Sequence, residues 1–499
     1  MTLGGILPNA QSFPRVGENL GILNIAVLVV IPYNNVRILK REGETDMNKD
    51  LTTGKPASVL LRFTLPMLLS VAFQQLYNIA DSVIAGKFAG EDALAAVGAS
   101  YPVTMIFMAV AFGMNIGISV VISQLFGAKD FKEMKTAAYT GFISVAVLGV
   151  VLTVVGTVLC EPILRMLGTP ENIMEDTALY LAIYIWGLLF LFIYNISSGV
   201  FTSLGDSKTP LWFLIASSVG NIALDAVFVI VFHWGVGGVA WATFLAQGVA
   251  SACAFWAVLR RLKSIETKEK PALFSGAMLR RISIVAIPSI LQQSFVSVGN
   301  LCIQGLVNGF GSSAIAGYSA GVKLNTFAIT SLTALSNSVS SFTGQNIGAG
   351  NGERARRAYL VSRNVGLLVS IAGSLLLFPL RGVLVTALTN DSATQAAAWE
   401  YMFWVLLTQP LMSLFQNYLG VFNGSGNTRF SFLMATARLW IIRLPLILLF
   451  KLFTDVGSTG IWYAMVLSNF IILIVGALLF RRVSFTPMDA VQAAAEPTS

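Results

Sequence analysis

Four side chains in this sequence have the chemistry to hold a hard cation or a proton: Asp81, Asn221, Asp225 and Thr243. Asp81 sits well inside the apolar stretch that runs from Pro66 to Gly90. Asn221 and Asp225, in Asn-Ile-Ala-Leu-Asp, are four residues apart and so share one face of a helix. Thr243 follows the turn at Gly235–Gly238 and would return beside them if the two segments form a hairpin packed on the first. Two carboxylates, an amide and a hydroxyl make an oxygen-rich set, which suits Na⁺ better than a soft transition metal. Carboxylates held close together also resist ionising together, so the pair can keep a proton near neutral pH. An ionised acid at the centre of a bilayer costs at least about 2.5 kcal/mol on insertion scales, so residues of this kind need a task.

Around this set lie polar residues suited to a cavity wall. Gln74, Tyr77 and Asn78 precede Asp81, and Asn195 lies in Tyr-Asn-Ile-Ser-Ser-Gly. Asn195 has amide counterparts later in the chain at Gln416 or Asn417, so an architectural role suits it as well as a ligand role. Lys323 either snorkels or lines the cavity. Arg438 and Arg443 also fall at apparent membrane depth. Arg443 precedes Leu444-Pro445, where the proline frees a backbone carbonyl, so both arginines are read as structural and bonded to helix ends. Catalytic equipment is missing from the sequence. Cys160, Cys253 and Cys302 have neither metal nor redox spacing, the single histidine is His233, and no Gly-x-x-x-x-Gly-Lys-Ser/Thr run is present. The expectation is a non-enzyme without a cofactor, apart from an ion that it uses.

The elements that must position these residues are membrane helices. Of 499 residues, 55% are hydrophobic and 11% charged, far fewer charges than a soluble domain carries. Twelve apolar segments follow one another, near 57–86, 93–125, 135–160, 176–203, 209–232, 237–260, 278–308, 314–347, 354–380, 395–423, 429–452 and 457–480. A crossing takes about 20 residues, and continuous apolar runs of this length satisfy their backbone in lipid as helices. Most basic loop residues, Lys129, Arg260, Arg261, Arg280, Arg354 and Arg481 among them, fall on the side of the termini. That asymmetry places both termini in the cytoplasm of a cell whose plasma membrane the chain spans, and it accounts for the net charge of +8 without nucleic acid. Residues 1–56 read as an extension, poorly ordered to about 46, and 483–499 as a tail.

The chain also repeats itself. Gln124-Leu-Phe-Gly127-Ala128 recurs as Gln345-Asn-Ile-Gly348-Ala349, Gly205-Asp206 as Gly426-Asn427, Gly238 to Trp241 as Gly460 to Tyr463, and Pro66 as Pro288, all at offsets of 221 or 222. One register throughout means duplication. Six crossings per copy give two lobes of like orientation, residues 57–260 and 278–482, joined by a cytoplasmic linker at 261–277 and facing a cavity between them. The same shift places Cys302 or Ile303 opposite Asp81, Leu446 or Ile447 opposite Asp225, and Ala464 or Met465 opposite Thr243. Cation chemistry is therefore expected in the first lobe alone.

These features together resemble the multidrug and toxic compound extrusion family, over about 57–482. The resemblance rests on the twelve segments in two lobes, Pro66 with Asp81, the paired Gln-x-x-Gly-Ala motifs, Asn195 ahead of Gly205-Asp206, Asn221-x-x-x-Asp225, and Arg443-Leu-Pro445. It implies an all-α membrane protein, most similar to the DinF-like and MepA-like bacterial branch. In that branch, a first-helix aspartate, a fifth-helix Asn-x-x-x-Asp and a sixth-helix threonine build a cation site, matched here by Asp81, Asn221, Asp225 and Thr243. The NorM-type branch adds a seventh-helix glutamate, for which this sequence has Gln292 and Gln293, so Gln292 becomes a cavity candidate. Export of small, often cationic, organic molecules against Na⁺ or H⁺ by a monomer is the implied activity. A lipid-linked precursor flippase of the same superfamily is the alternative, although it would favour a basic cavity and fourteen segments.

Overall fold

The computed structural model describes residues 50–89, 91–386, 391–454 and 456–487. The extension expected to be poorly ordered at 1–46 and most of the expected tail at 483–499 lie outside them. The chain separates into two compact units, Met1–Met47 and Asn48–Ser499, and the described residues all belong to the second.

Twelve helical rods follow the twelve apolar segments. In the first lobe they are α1 (Pro56–Ala89), α2 (Glu91–Gly127), α3 (Phe131–Met166), α4 (Glu171–Trp186 and Leu188–Ser203), α5 (Lys208–Val231) and α6 (Gly235–Ser264). The second lobe has α7 (Gly276–Asn308), α8 (Ser312–Gly348), α9 (Gly352–Thr386), α10 (Ser392–Gly424), α11 (Thr428–Phe453) and α12 (Thr459–Phe480). Among the described residues nine rods are long and apolar enough on their own to cross a membrane, and α4, bent by 47° at Gly187, makes a tenth. The two that fall short, α8 and α10, pack against one another. Much of the polarity of α8 is turned inward, with Thr326, Thr330, Ser331, Thr333 and Ser338 donating to carbonyls one turn back. The linker is shorter than the charges suggested. Arg261 and Lys263 belong to the last turn of α6, where the helix dipole favours them, and only 265–275 is non-helical.

Helix ends carry the duplication into the backbone. Positive φ falls on Lys129 (58°) and Gly350 (72°), on Gly205 (80°) and Gly426 (79°), and on Gly235 (55°) and Gly457 (61°), each pair separated by 221 or 222. Each pair marks a chain reversal in the same place of its lobe. In the first of them only the second copy has the residue that adopts this conformation freely.

The lobes interlock at the side that carries the basic loops. Leu60 and Phe63 of α1, with Leu51 ahead of it, are buried in the core of the second lobe among Phe342, Phe415 and Phe422. Met278, Ile282, Val285 and Ala286 of α7 are likewise buried in the core of the first lobe among Ile118, Met134 and Phe142. Each lobe thus takes the opening turns of the other's first helix. Small residues let the backbones meet: a Cβ on Gly117 would fall 2.5 Å from the Ala286 Cβ, and one on Gly113 would fall 2.5 Å from the Ile290 backbone. Where α2 crosses α8 the contacts are reciprocal. The Gln124 side-chain amide donates to the Gly424 carbonyl (3.2 Å), and the Gln345 amide donates to the Ser203 carbonyl (2.7 Å). Both acceptors lie in final helical turns, whose carbonyls have no partner within the helix. Gln345 also accepts from the Leu51 backbone N–H (3.0 Å), and Arg354 donates to the Leu51, Thr53 and Gly54 carbonyls, so the segment before α1 is strapped to the second lobe. The linker is tied to α3 by Ala272 and Ser275 N–H bonds to Thr136 and Thr140 hydroxyls, and by Lys132 with Glu269 (2.5 Å).

Candidate functional site

α5 carries Asn221 and Asp225 on its inner face, and both are buried, Asp225 completely. α1 packs along α5, and α5 and α6 form a hairpin. That arrangement brings the Asp81 carboxyl close enough to Asp225 for the two charges to interact. The Asn221 amide donates to the Thr243 hydroxyl at 3.4 Å. The Tyr77 hydroxyl lies against Thr243, and both acids and Tyr180 are close enough to interact with it electrostatically. The four residues singled out in the sequence therefore meet. Directly after Asp225 the helix widens into a π turn, Ala226–Val231, and a second wide turn, Ala85–Ala89, follows Asp81 and contacts it. Turns of this kind recur where helices serve a site.

Asp81 Oδ1, both oxygens of Asp225 and Asn221 Oδ1 are buried without a hydrogen bond among the described residues. Buried acceptors are ordinarily satisfied, and these oxygens have the chemistry to take a proton or a hard cation. Among the described residues the second lobe offers no equivalent. Ile303, Ile447 and Ala464, opposite Asp81, Asp225 and Thr243, are all buried in its hydrophobic core.

Beside the acids lies a cavity of about 470 Å³, within the range of small-molecule sites. Gln74, Tyr77, Asn195, Asn221 and Thr243 line it from the first lobe, and Thr330 and Asn337 of α8 close it from the second. Two residues expected in the wall are not there. Asn78, one position past Tyr77, is turned about 100° round α1 and is exposed away from the cavity. Gln292 is buried on α7, whose contact with α2 fills the intervening space. Asn195 lines the wall while its amide bonds back to the Leu191 carbonyl (2.8 Å). Lys323 falls on α8, and its side chain lies outside those described. Pro66 is buried inside α1 without breaking it, and Pro445 opens the last part of α11 directly after a wide turn, Ala437–Arg443. Arg438 and Arg443 do not bond helix ends as expected. Their partners are side chains: Ser468 and Asn469 of α12 and Met412 and Phe415 of α10.

Residues that the sequence reading missed include Tyr180, beside the acids, and Asn115 in the cavity wall. Tyr180 lies in an ordinary apolar run and gives no signal. Asn115 is flanked by Gly113 and Gly117, the spacing at which α2 meets α7, and that was legible.

The chain has relatives of similar length throughout. It is 27% identical over 434 residues to the "Probable multidrug resistance protein YpnP" of Bacillus subtilis, covering 87% of this chain and 96% of that one. It is 24% identical over 437 residues to the "FAD transporter" of Shewanella oneidensis, covering 85% and 94%. A solved MOP superfamily transporter from Pyrococcus furiosus superposes with a TM-score of 0.82 at 24% identity, over 88% of this chain and 98% of that one. The MatE family model matches twice, at 66–227 and 288–449, so that one copy falls on each lobe in the register of the repeat. With Asp81, Asn221 and Asp225 in the first match and the hydrophobic counterparts in the second, the chain is a two-lobed, membrane-spanning member of the MatE family.

Proposed function

We propose that this chain exports small amphipathic or cationic organic compounds across the plasma membrane in exchange for Na⁺ or H⁺, with both termini in the cytoplasm. The observation that carries the reading is the pair Asp81 and Asp225, confined to one lobe and set beside a cavity that both lobes line. Relatives named as multidrug resistance and multidrug export proteins support the cargo class. The flippase alternative is not favoured, because the charges gathered beside the cavity are acids.

Two carboxylates in contact cannot both stay charged in a dry site without a proton or cation between them. A cation entering from outside offsets the repulsion within the pair, and α1, packed along α5, shifts toward it. The cavity wall formed by Gln74 and Tyr77 moves with α1 and expels the cargo. Rocking of the lobes then opens the basic-loop side, the ion leaves and new cargo binds. The drive is the difference in ion affinity between the two states. The test is uptake of a fluorescent cationic dye into vesicles holding the purified chain, under a pH gradient and a Na⁺ gradient applied separately. Dye movement should follow one of the gradients; movement that ignores both and requires ATP overturns the proposal.

A further inference from the structure

The second lobe buries two positive charges that the exchange cycle does not use. Arg438 and Arg443 are 8% and 9% exposed, inside the bundle of α10, α11 and α12. Among the described residues neither meets a carboxylate. Arg443 donates through Nε to the Ser468 hydroxyl (2.9 Å) and through Nη2 to Asn469 Oδ1 (2.8 Å). Arg438 reaches the same Asn469 oxygen at 3.3 Å and the Met412 sulfur at 3.0 Å, both through Nη1, while Phe415 covers one face of its guanidinium at 4.3 Å. The two guanidiniums thus share one neutral acceptor, and Arg438 Nε is buried with no bond at all.

Their surroundings are rich in donors. Tyr318 and Tyr401 lie within electrostatic range of Arg443. Trp462 packs on both rings, at 5.9 Å from Tyr318 and 4.9 Å from Tyr401, and its indole N–H is also buried without a partner. Guanidiniums cannot relieve the strain by losing a proton at any ordinary pH, and in a low-dielectric interior an uncompensated pair is among the least favourable arrangements. The complement to clustered donors and excess positive charge is an anion.

Position sharpens the point. At an offset of 222, Arg443 falls opposite Asn221 and Asn469 opposite Gln247; at 221, Tyr401 falls opposite Tyr180. Arg443 and Tyr401 therefore hold, in the second lobe, the places of Asn221 and Tyr180 beside the acids, while Ile303 and Ile447 hold the places of the acids themselves. We propose that the second lobe holds one small monovalent anion of the halide class between Arg438 and Arg443, the charge-reversed counterpart of the cation site. The anion offsets one of the two buried positive charges through the cycle, and it binds irrespective of which cargo or coupling ion the first lobe uses.

Equilibrium binding of radiolabelled chloride to the purified full-length chain tests this. One saturable site per chain is expected, displaced by bromide and untouched by gluconate at the same ionic strength. Arg438→Gln and Arg443→Gln should each weaken chloride binding roughly ten- to a hundredfold, the effect of losing a charge-assisted bond. Arg438→Lys, which keeps the charge and removes Nε, should fall between them and the parent. Absence of saturable chloride binding in the parent chain overturns the proposal, as does unchanged affinity in variants that remain monodisperse. If the glutamine variants do not fold, the parent isotherm and its bromide displacement decide alone.

Discussion

Gly127 of the first lobe lies directly on the main chain of Gln345 in the second: a Cβ placed on it would fall 1.9 Å from the Gln345 carbonyl oxygen. The mirror contact exists as well, since a Cβ on Gly348 would fall 1.8 Å from the Gln124 carbonyl oxygen. Each Gln-x-x-Gly motif thus presses its glycine against the backbone of the other motif's glutamine. Gly127→Val or Gly348→Val should leave each lobe folded and prevent the seam from closing. Labelling of a cysteine placed at Ser340, which lines the cavity from α8, by an impermeant maleimide added from the basic-loop side should rise, and dye transport should be lost. Gly220→Ala, at a position where an added Cβ meets nothing within 4 Å, should behave as the parent.

The two glutamines differ in what they hold. Gln345→Ala strands both the Ser203 carbonyl and the Leu51 N–H, whereas Gln124→Ala strands only the Gly424 carbonyl. At about 1–3 kcal/mol per stranded buried group, thermal unfolding in detergent should show roughly twice the loss for Gln345→Ala.

Asp81→Asn and Asp225→Asn should each insert and fold, yet reduce gradient-driven dye export by roughly tenfold or more. Because the two carboxyls form one unit, the double variant should be no worse than either single one. Additive losses would mean that the acids act separately.

Lys129 holds a φ of 58°, where its counterpart Gly350 sits at 72°. Left-handed backbone costs a non-glycine residue about 1 kcal/mol, so Lys129→Gly should raise the unfolding midpoint, with transport unchanged. A lowered midpoint would show that the lysine side chain outweighs its backbone.

The contact between Lys132 and Glu269 lies at the surface, and the lysine holds the Glu269 carboxyl below its usual value of 4.5. A lowered acid stabilises the fold above its unfolded pKa, and the contribution disappears as pH falls through the folded value. Glu269→Gln should therefore leave stability at pH 7 within error of the parent, and any difference should fade as the carboxyl is protonated on acidification and shrink with added salt.

Much of this was legible beforehand for a definite reason. An acid inside an apolar helix is costly, so Asp81 and Asp225 declare themselves, and the spacing of Asn221 to Asp225 fixes their face. The repeat was readable because glycines at chain reversals and close crossings cannot drift freely. Tyr180 was hidden because a tyrosine is ordinary in an apolar run. Asn78 was misplaced because the sequence gives proximity along α1 and not the rotation that turns it from the wall. The arginine partners were missed because Ser468 and Asn469, 25 and 26 residues further on in the next helix, have no spacing that ties them to Arg443.

The reciprocal clasp at the seam has a consequence for how the halves of this chain have aged. Gln124-x-x-Gly127 and Gln345-x-x-Gly348 touch each other, so a change in either is felt at once by its twin, and the two have stayed alike. Asp225 and Ile447 sit in separate lobes, and no such clasp ties one to the other: one half is acidic inside while its sibling is oily and basic.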